Sequence, residues 1–176
     1  WCVFLSERDA GSDLALLQTR AVEDGDHFVI NGQKCWTTGA HRADWAYIMG
    51  RTDPKAVPKH RGLSFFLLDM KTPGISITPI INMAGEHEFN EVFFDNVRVP
   101  KENLVGGKNR GWYTAVAALD FERSAIPTYA IARRNLDDTL EYARKTESLS
   151  PVMRNRLAEL LMECEIARLI HYRAVW

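Results

Sequence analysis

Three short stretches hold residue types whose spacing can do chemistry. The first is SERDAGSD, residues 6–13. Its small-residue turn, Ala10-Gly11-Ser12-Asp13, can offer backbone N–H groups and the Ser12 hydroxyl to an anion. Equally, Ser12 or Asp13 can simply cap the segment that follows. No GK[ST] follows, so it is not a P-loop, and the GxGxxG dinucleotide fingerprint is absent. The second is KCWTTGA, residues 34–40. An indole at Trp36 beside the hydroxyls of Thr37 and Thr38 can cover a planar aromatic ligand and bond its heteroatoms. The plainer reading is that Trp and Thr form strands well and that Trp36 packs in a core. The third is DFER, residues 120–123. Asp120 and Arg123 share a helix face at i, i+3. Glu122 is either a solvated partner of the helix dipole or a carboxylate aimed at a domain seam, where burial raises its pKa and makes it a usable base.

Other chemistries find no support. His27, His41, His60, His87 and His171 are scattered, without HxH or HxxxH spacing, so no metal site is expected. No GxSxG nucleophile elbow occurs. The three cysteines, Cys2, Cys35 and Cys164, are widely spaced with no CxxC, which favours reduced thiols and a cytoplasmic setting. A formal net charge of -1 gives no reason to expect nucleic-acid binding. No apolar run approaches the roughly 20 residues a membrane-spanning helix needs, so no membrane insertion is expected. The proline-punctuated basic stretch RTDPKAVPKHRG, residues 51–62, reads as a solvated connection whose lysines can meet a phosphate.

The elements that must position these residues change character near residue 107. Before it, WCVFL, DHFVINGQKCWTT, WAYIMG, LSFFLLDM, GISITPI and EVFFDNVRV are short apolar stretches bounded by turn residues, as strands are. Asn31-Gly32, between FVI and QKCW, predicts a type I′ hairpin. After Gly106-Gly107 a helical pattern runs from Trp112 to about Arg144, with Pro127 expected to kink or break it. A further helix is predicted to start at Ser150-Pro151, with Ser as N-cap and Pro in the first helical position. Its buried face should carry Leu157, Leu160, Leu161, Cys164 and Ala167. The fold class is therefore α+β: an antiparallel β-barrel or sandwich over residues 1–106, then the first helices of an α-helical bundle over 107–176. The chain opens with Trp1 and stops at Trp176 inside a helical pattern, so it reads as a fragment.

In order along the chain, LSERDAGSDLA, GDHFVINGQKCWTTGAHRADW, RTDP, HRGLSFFLLDM, TPGISITPI, FNEVFFDNVRVPKENLVG, GW and LDFER resemble the acyl-CoA dehydrogenase family. The resemblance implies the family's middle β domain plus the start of its C-terminal helical domain. It implies FAD as cofactor and α,β-dehydrogenation of an acyl-CoA: a carboxylate takes the α-proton, and the β-hydride passes to flavin N5. The implied partners are an acyl-CoA substrate, an electron-transferring flavoprotein, and further subunits in a homo- or hetero-oligomer. The implied compartment is the cytoplasm, or the mitochondrial matrix in a eukaryote. Leu5 and Ser6 match strand-end positions beside the flavin pyrimidine edge; Gly11 and Ser12 match the turn near the pyrophosphate and the acyl-CoA. Trp36 matches the aromatic at the flavin, Thr37 follows it, and Thr38 matches the hydroxyl near N5. Asp120 and Arg123 match helix positions on the CoA side. Glu122 stands where a minority of members, resembling isovaleryl- and long-chain acyl-CoA dehydrogenases, carry the base; most carry it on a C-terminal segment this chain lacks. Arg8 and Asp9 replace the Pro and Gly usual in that first turn. Alternatives within the resemblance are an acyl-CoA oxidase, a flavin monooxygenase, or a non-catalytic subunit of a heteromeric dehydrogenase. The acyl chain stays open, and the 176 residues alone are expected to be inactive.

Overall fold

A computed structural model describes residues 1–122, 126–146 and 149–175. They fall into two compact units, Trp1–Val116 and Ala117–Trp176. Among the described residues of the first unit, eight strands run β1 (Cys2–Phe4), β2 (Arg20–Asp24), β3 (His27–Thr38), β4 (Trp45–Arg51), β5 (Leu63–Asp69), β6 (Ile75–Ile81), β7 (His87–Pro100) and β8 (Leu104–Val105). They form one sheet in the order β6-β7-β3-β2-β4-β5-β8, with β1 beside β4. Three helices follow: α1 (Gly111–Glu122), α2 (Ile126–Lys145) and α3 (Pro151–Val175). The α+β class is as expected, but the sheet is mixed rather than purely antiparallel. Both β1 and β2 pair with β4 in parallel, and β6 and β8 are unjoined ends, so no closed barrel forms. Pro79 sits on β6, an end strand, the place in a sheet where proline is tolerated.

Strands β4 and β5 explain why WAYIMG and LSFFLLDM read as unbroken apolar runs rather than alternations. Each packs on both faces. Ile48 and Phe66 join a core with Phe4, Phe28, Ile30, Val92 and Phe94, while Met49 and Phe65 join a second with Leu17, Leu63 and Ala115. Gly111 opens α1 where a Cβ would stand 2.6 Å from Phe65 N, so glycine lets the helix start lie against β5.

The hairpin expected at Asn31-Gly32 lies elsewhere. β2 and β3 turn at Gly25-Asp26, with Asp24 opposite His27, and Gly25 carries φ +60°. Asn31-Gly32 is interior to β3 and faces a bulge on β7. There Asn31 Oδ1 accepts the N–H of Asn96 (2.9 Å), which is held at φ 52°. Gly32 is required for a different reason than a turn: a Cβ there would come 2.7 Å from Thr19 Cα.

In the second unit α3 begins at Pro151, and Ser150 Oγ accepts the N–H of Met153 (3.3 Å), the predicted cap. Among its described residues the partly buried apolar ones are the five expected, Leu157, Leu160, Leu161, Cys164 and Ala167. Arg133 of α2 reaches Glu165 of α3 at 3.0 Å. Pro127, read as a kink or break, is the second residue of α2.

Candidate functional site

The candidate site lies where the chain leaving β1 meets a bulge in β3. On β3, Lys34 pairs with Val92 of β7 and Thr37 with Asn90, so one extra residue is inserted between them. Trp36 absorbs it with φ 62°, a left-handed conformation that costs a bulky residue about 1–2 kcal/mol. The insertion breaks alternation. Lys34, Cys35 and Thr37 are all buried, while Trp36 is 62% exposed, its ring meeting Phe89 edge-on with centroids 6.3 Å apart. The core-packing reading of Trp36 is thus excluded. Thr38 is exposed at the end of the strand.

Beside the bulge, Cys35 N–H donates to Ser6 O (3.0 Å), tying the end of β1 to β3. The Ser6 N–H has no acceptor among the described residues. Lys34, with no exposed surface, donates from Nζ to Leu5 O (2.8 Å) and pairs with Glu7 Oε1 (2.9 Å). Glu7 also accepts the N–H groups of Gln18 and Thr19 (2.9 Å to Thr19). Burial alone would raise the Glu7 pKa, but Lys34 and those N–H groups outweigh it, and it lies below the usual carboxylate range. Burial lowers Lys34 to about 8 against the opposing pull of Glu7. On the far side of the bulge, fully buried Asn90 donates to Thr37 O (2.9 Å) and meets both rings of the stacked His41–His87 pair.

The remaining expected residues divide. Glu7 and Ala10 close their turn with two backbone bonds, leaving Gly11 and Ser12 exposed just beyond it. Arg8 is drawn to Glu91 on β7, and Gln33 bonds the same carboxylate. A groove of about 750 Å³ is lined by Glu7, Arg8, Gln18, Thr19, Arg20 and Gln33 and includes none of the seven residues expected to meet a cofactor. In the second unit Asp120 is exposed on α1; Arg123 and the Glu122 side chain lie outside the described residues. The 51–62 loop is anchored more deeply than expected. Arg51 is buried and donates to Leu17 O (2.9 Å), Lys59 O (3.1 Å) and Ala15 O (2.6 Å). No group of His, Cys, Asp and Glu that could hold a metal occurs among the described residues, and no described helix is long and apolar enough to cross a membrane. Sequence reasoning missed Lys34 and Glu7. The available signal was parity: Phe28, Ile30 and Lys34 share one strand face, and a charge on the buried face demands a partner.

Residues 2–97 match the model for the acyl-CoA dehydrogenase middle domain, and 109–176 that for the C-terminal domain. The chain belongs to the acyl-CoA dehydrogenase family. It is 42% identical over 173 residues to the acyl-CoA dehydrogenase FadE34 of Mycobacterium tuberculosis, covering 98% of this chain and 24% of that one. Among solved structures, the Tcur3481-Tcur3483 steroid ACAD aligns with TM-score 0.79 at 36% identity, over 98% of this chain and 45% of the other. The glutaryl-coenzyme A dehydrogenase in its glutaryl-CoA complex gives 0.81 at 29%, over 98% and 46%. The chain therefore spans less than half the length of each.

Proposed function

We propose that the protein is an FAD-dependent acyl-CoA dehydrogenase, in which this chain supplies the cofactor-facing strand ends and the base. The observation that carries the reading is Trp36. An aromatic residue held in a strained left-handed bulge, with its ring exposed and an unbonded Ser6 N–H beside it, suits a planar heteroaromatic ligand rather than a core. Those groups fit a flavin: a face for the ring, a backbone donor for its electron-rich edge, and the exposed Thr38 hydroxyl for a ring nitrogen. Bound there, the flavin supplies a hydride acceptor.

In this reading Trp36 covers the ring and excludes water, Ser6 N–H and Thr38 hold its heteroatoms, and Leu5 and Thr37 frame them through the backbone. Gly11 and Ser12 meet the pyrophosphate and acyl-CoA, while Asp120 and Arg123 meet the CoA side. Glu122 would take the α-proton of the thioester as hydride leaves the β-carbon. Electrons pass on to an electron-transferring flavoprotein, and the protein works as an oligomer in the cytoplasm. We place the join between the two family domains at Gly106-Gly107, in the gap between matches that end at 97 and resume at 109, although the first compact unit runs on to Val116.

The test is anaerobic mixing of the full-length protein with a panel of acyl-CoAs, with flavin absorbance as the readout. The panel should include short, branched, long and steroid-derived thioesters, the last because a relative is named a steroid ACAD. Bleaching by one class supports the proposal, and a flavin untouched by every member refutes it. Glu122→Gln should keep the yellow colour and lose reduction by the active thioester. Normal reduction in that variant removes Glu122 as the base.

A further inference from the structure

Lys34 is the one lysine without exposed surface among the described residues, and it is spent on a backbone carbonyl. A buried ion pair is a poor device for stability, since well-packed apolar residues of similar volume often serve as well or better. Its bonding suggests a different use. Both Glu7 oxygens are engaged, Oε1 by Lys34 and Thr19 N–H and Oε2 by Gln18 N–H, so the carboxylate is fixed. The lysine it fixes donates to Leu5 O, the carbonyl of the same peptide unit that carries Ser6 N–H. The next carbonyl, Ser6 O, is held by Cys35 N–H. In a trans peptide C=O and N–H point in opposite directions. With Leu5 O turned inward to Lys34, Ser6 N–H is turned away from it. A cationic donor on the carbonyl also polarises the amide and strengthens its N–H as a donor.

We propose that the Lys34–Glu7 pair positions and polarises the Leu5–Ser6 peptide, making Ser6 N–H a preorganised donor that favours the cofactor's reduced, more negative state. Lys34 is a positioning residue in this scheme and acts through Ser6. The inference rests on the flavin reading above.

The test uses the full-length protein and two readouts other than turnover. In the first, Lys34→Met combined with Glu7→Gln removes both charges together. Oxidised flavin should bind about tenfold more weakly and reduced flavin about a hundredfold, the tenfold difference being a fall of about 30 mV in the two-electron potential. Lys34→Arg, which keeps a cationic donor, should restore both affinities to within about threefold. Double-variant values equal to wild type overturn the inference and leave the flavin reading intact; a wild type that binds no flavin overturns both. The second readout needs no variant. In flavin-free protein labelled with ¹⁵N-serine, the Ser6 amide resonance should shift as Lys34 loses its proton, and a Ser6 amide indifferent to that titration overturns the inference.

Discussion

Trp36 separates what a residue does for the fold from what it does for the site. Its ring is largely exposed and its backbone is strained, so Trp36→Gly relieves the left-handed penalty while giving up the buried third or so of the side chain. Thermal or denaturant unfolding should shift by no more than about 1 kcal/mol, since the relief of strain is offset by the entropy glycine adds to the unfolded chain, whereas flavin retention on gel filtration should fall at least tenfold. A fold that collapses without the indole would contradict this assignment. Lys34 gives the pH-dependent counterpart. Its folded pKa is depressed from 10.5 to about 8, so between those values the unfolded chain holds the proton that the folded chain has released. Stability from this group must therefore rise as pH climbs from about 8 to 10.5. Denaturant titrations across that window, compared with the variant lacking both Lys34 and Glu7 charges, should show the extra slope in the wild type alone. The roles proposed for Trp36 and Thr38 come from resemblance, and the bulge that exposes the ring was not legible in the sequence because it depends on β7, far away in the chain. The Lys34–Glu7 pair was legible in principle, since strand parity put a charge on the buried face.

At the level of elements, sequence signals succeeded where one local cause acts and failed where two compete. Ser150-Pro151 has one reading, because an N-cap followed by proline satisfies a helix start without distant help, and α3 begins there. Asn31-Gly32 has two. It suits a type I′ turn, yet it also suits a strand interior where a neighbouring backbone comes too close for a Cβ, and the pressure of Thr19 on Gly32 decided the matter. Gly25-Asp26 could then take the turn. The parallel pairings of β4 were not legible, because each joins segments whose partners no local pattern names. Gly111 carries a prediction of its own. A methyl group there meets the backbone of Ser64 and Phe65, which cannot yield as a side chain would. Gly111→Ala should cost about 1–3 kcal/mol in denaturant unfolding, while alanine at exposed Ala118, on the same helix, is already tolerated by the fold.

For the molecule as a whole, the parallel seat of β1 on β4 sets an order of events. Cys2 finds Ala46 and Phe4 finds Ile48, contacts that close a long loop, whereas β2 and β3 meet across a two-residue turn. Closing the long loop is entropically dearer, so the hairpin should form first and β1 should dock late. In pulse-labelling during refolding, amides of Val22 and Val29 should gain protection before that of Cys35, whose acceptor is Ser6 O. Equal timing would deny the sequence of steps. The segment bearing Leu5, Ser6 and Glu7 thereby arrives after the β2–β3 hairpin, and it carries part of the proposed site. In the proposed function, a chain with the β2–β3 hairpin formed and β1 undocked would lack one side of the flavin site, and a ligand that binds the finished strand end would act as a clasp on that docking step. Destabilising β1 should then shorten cofactor residence long before it unfolds the protein.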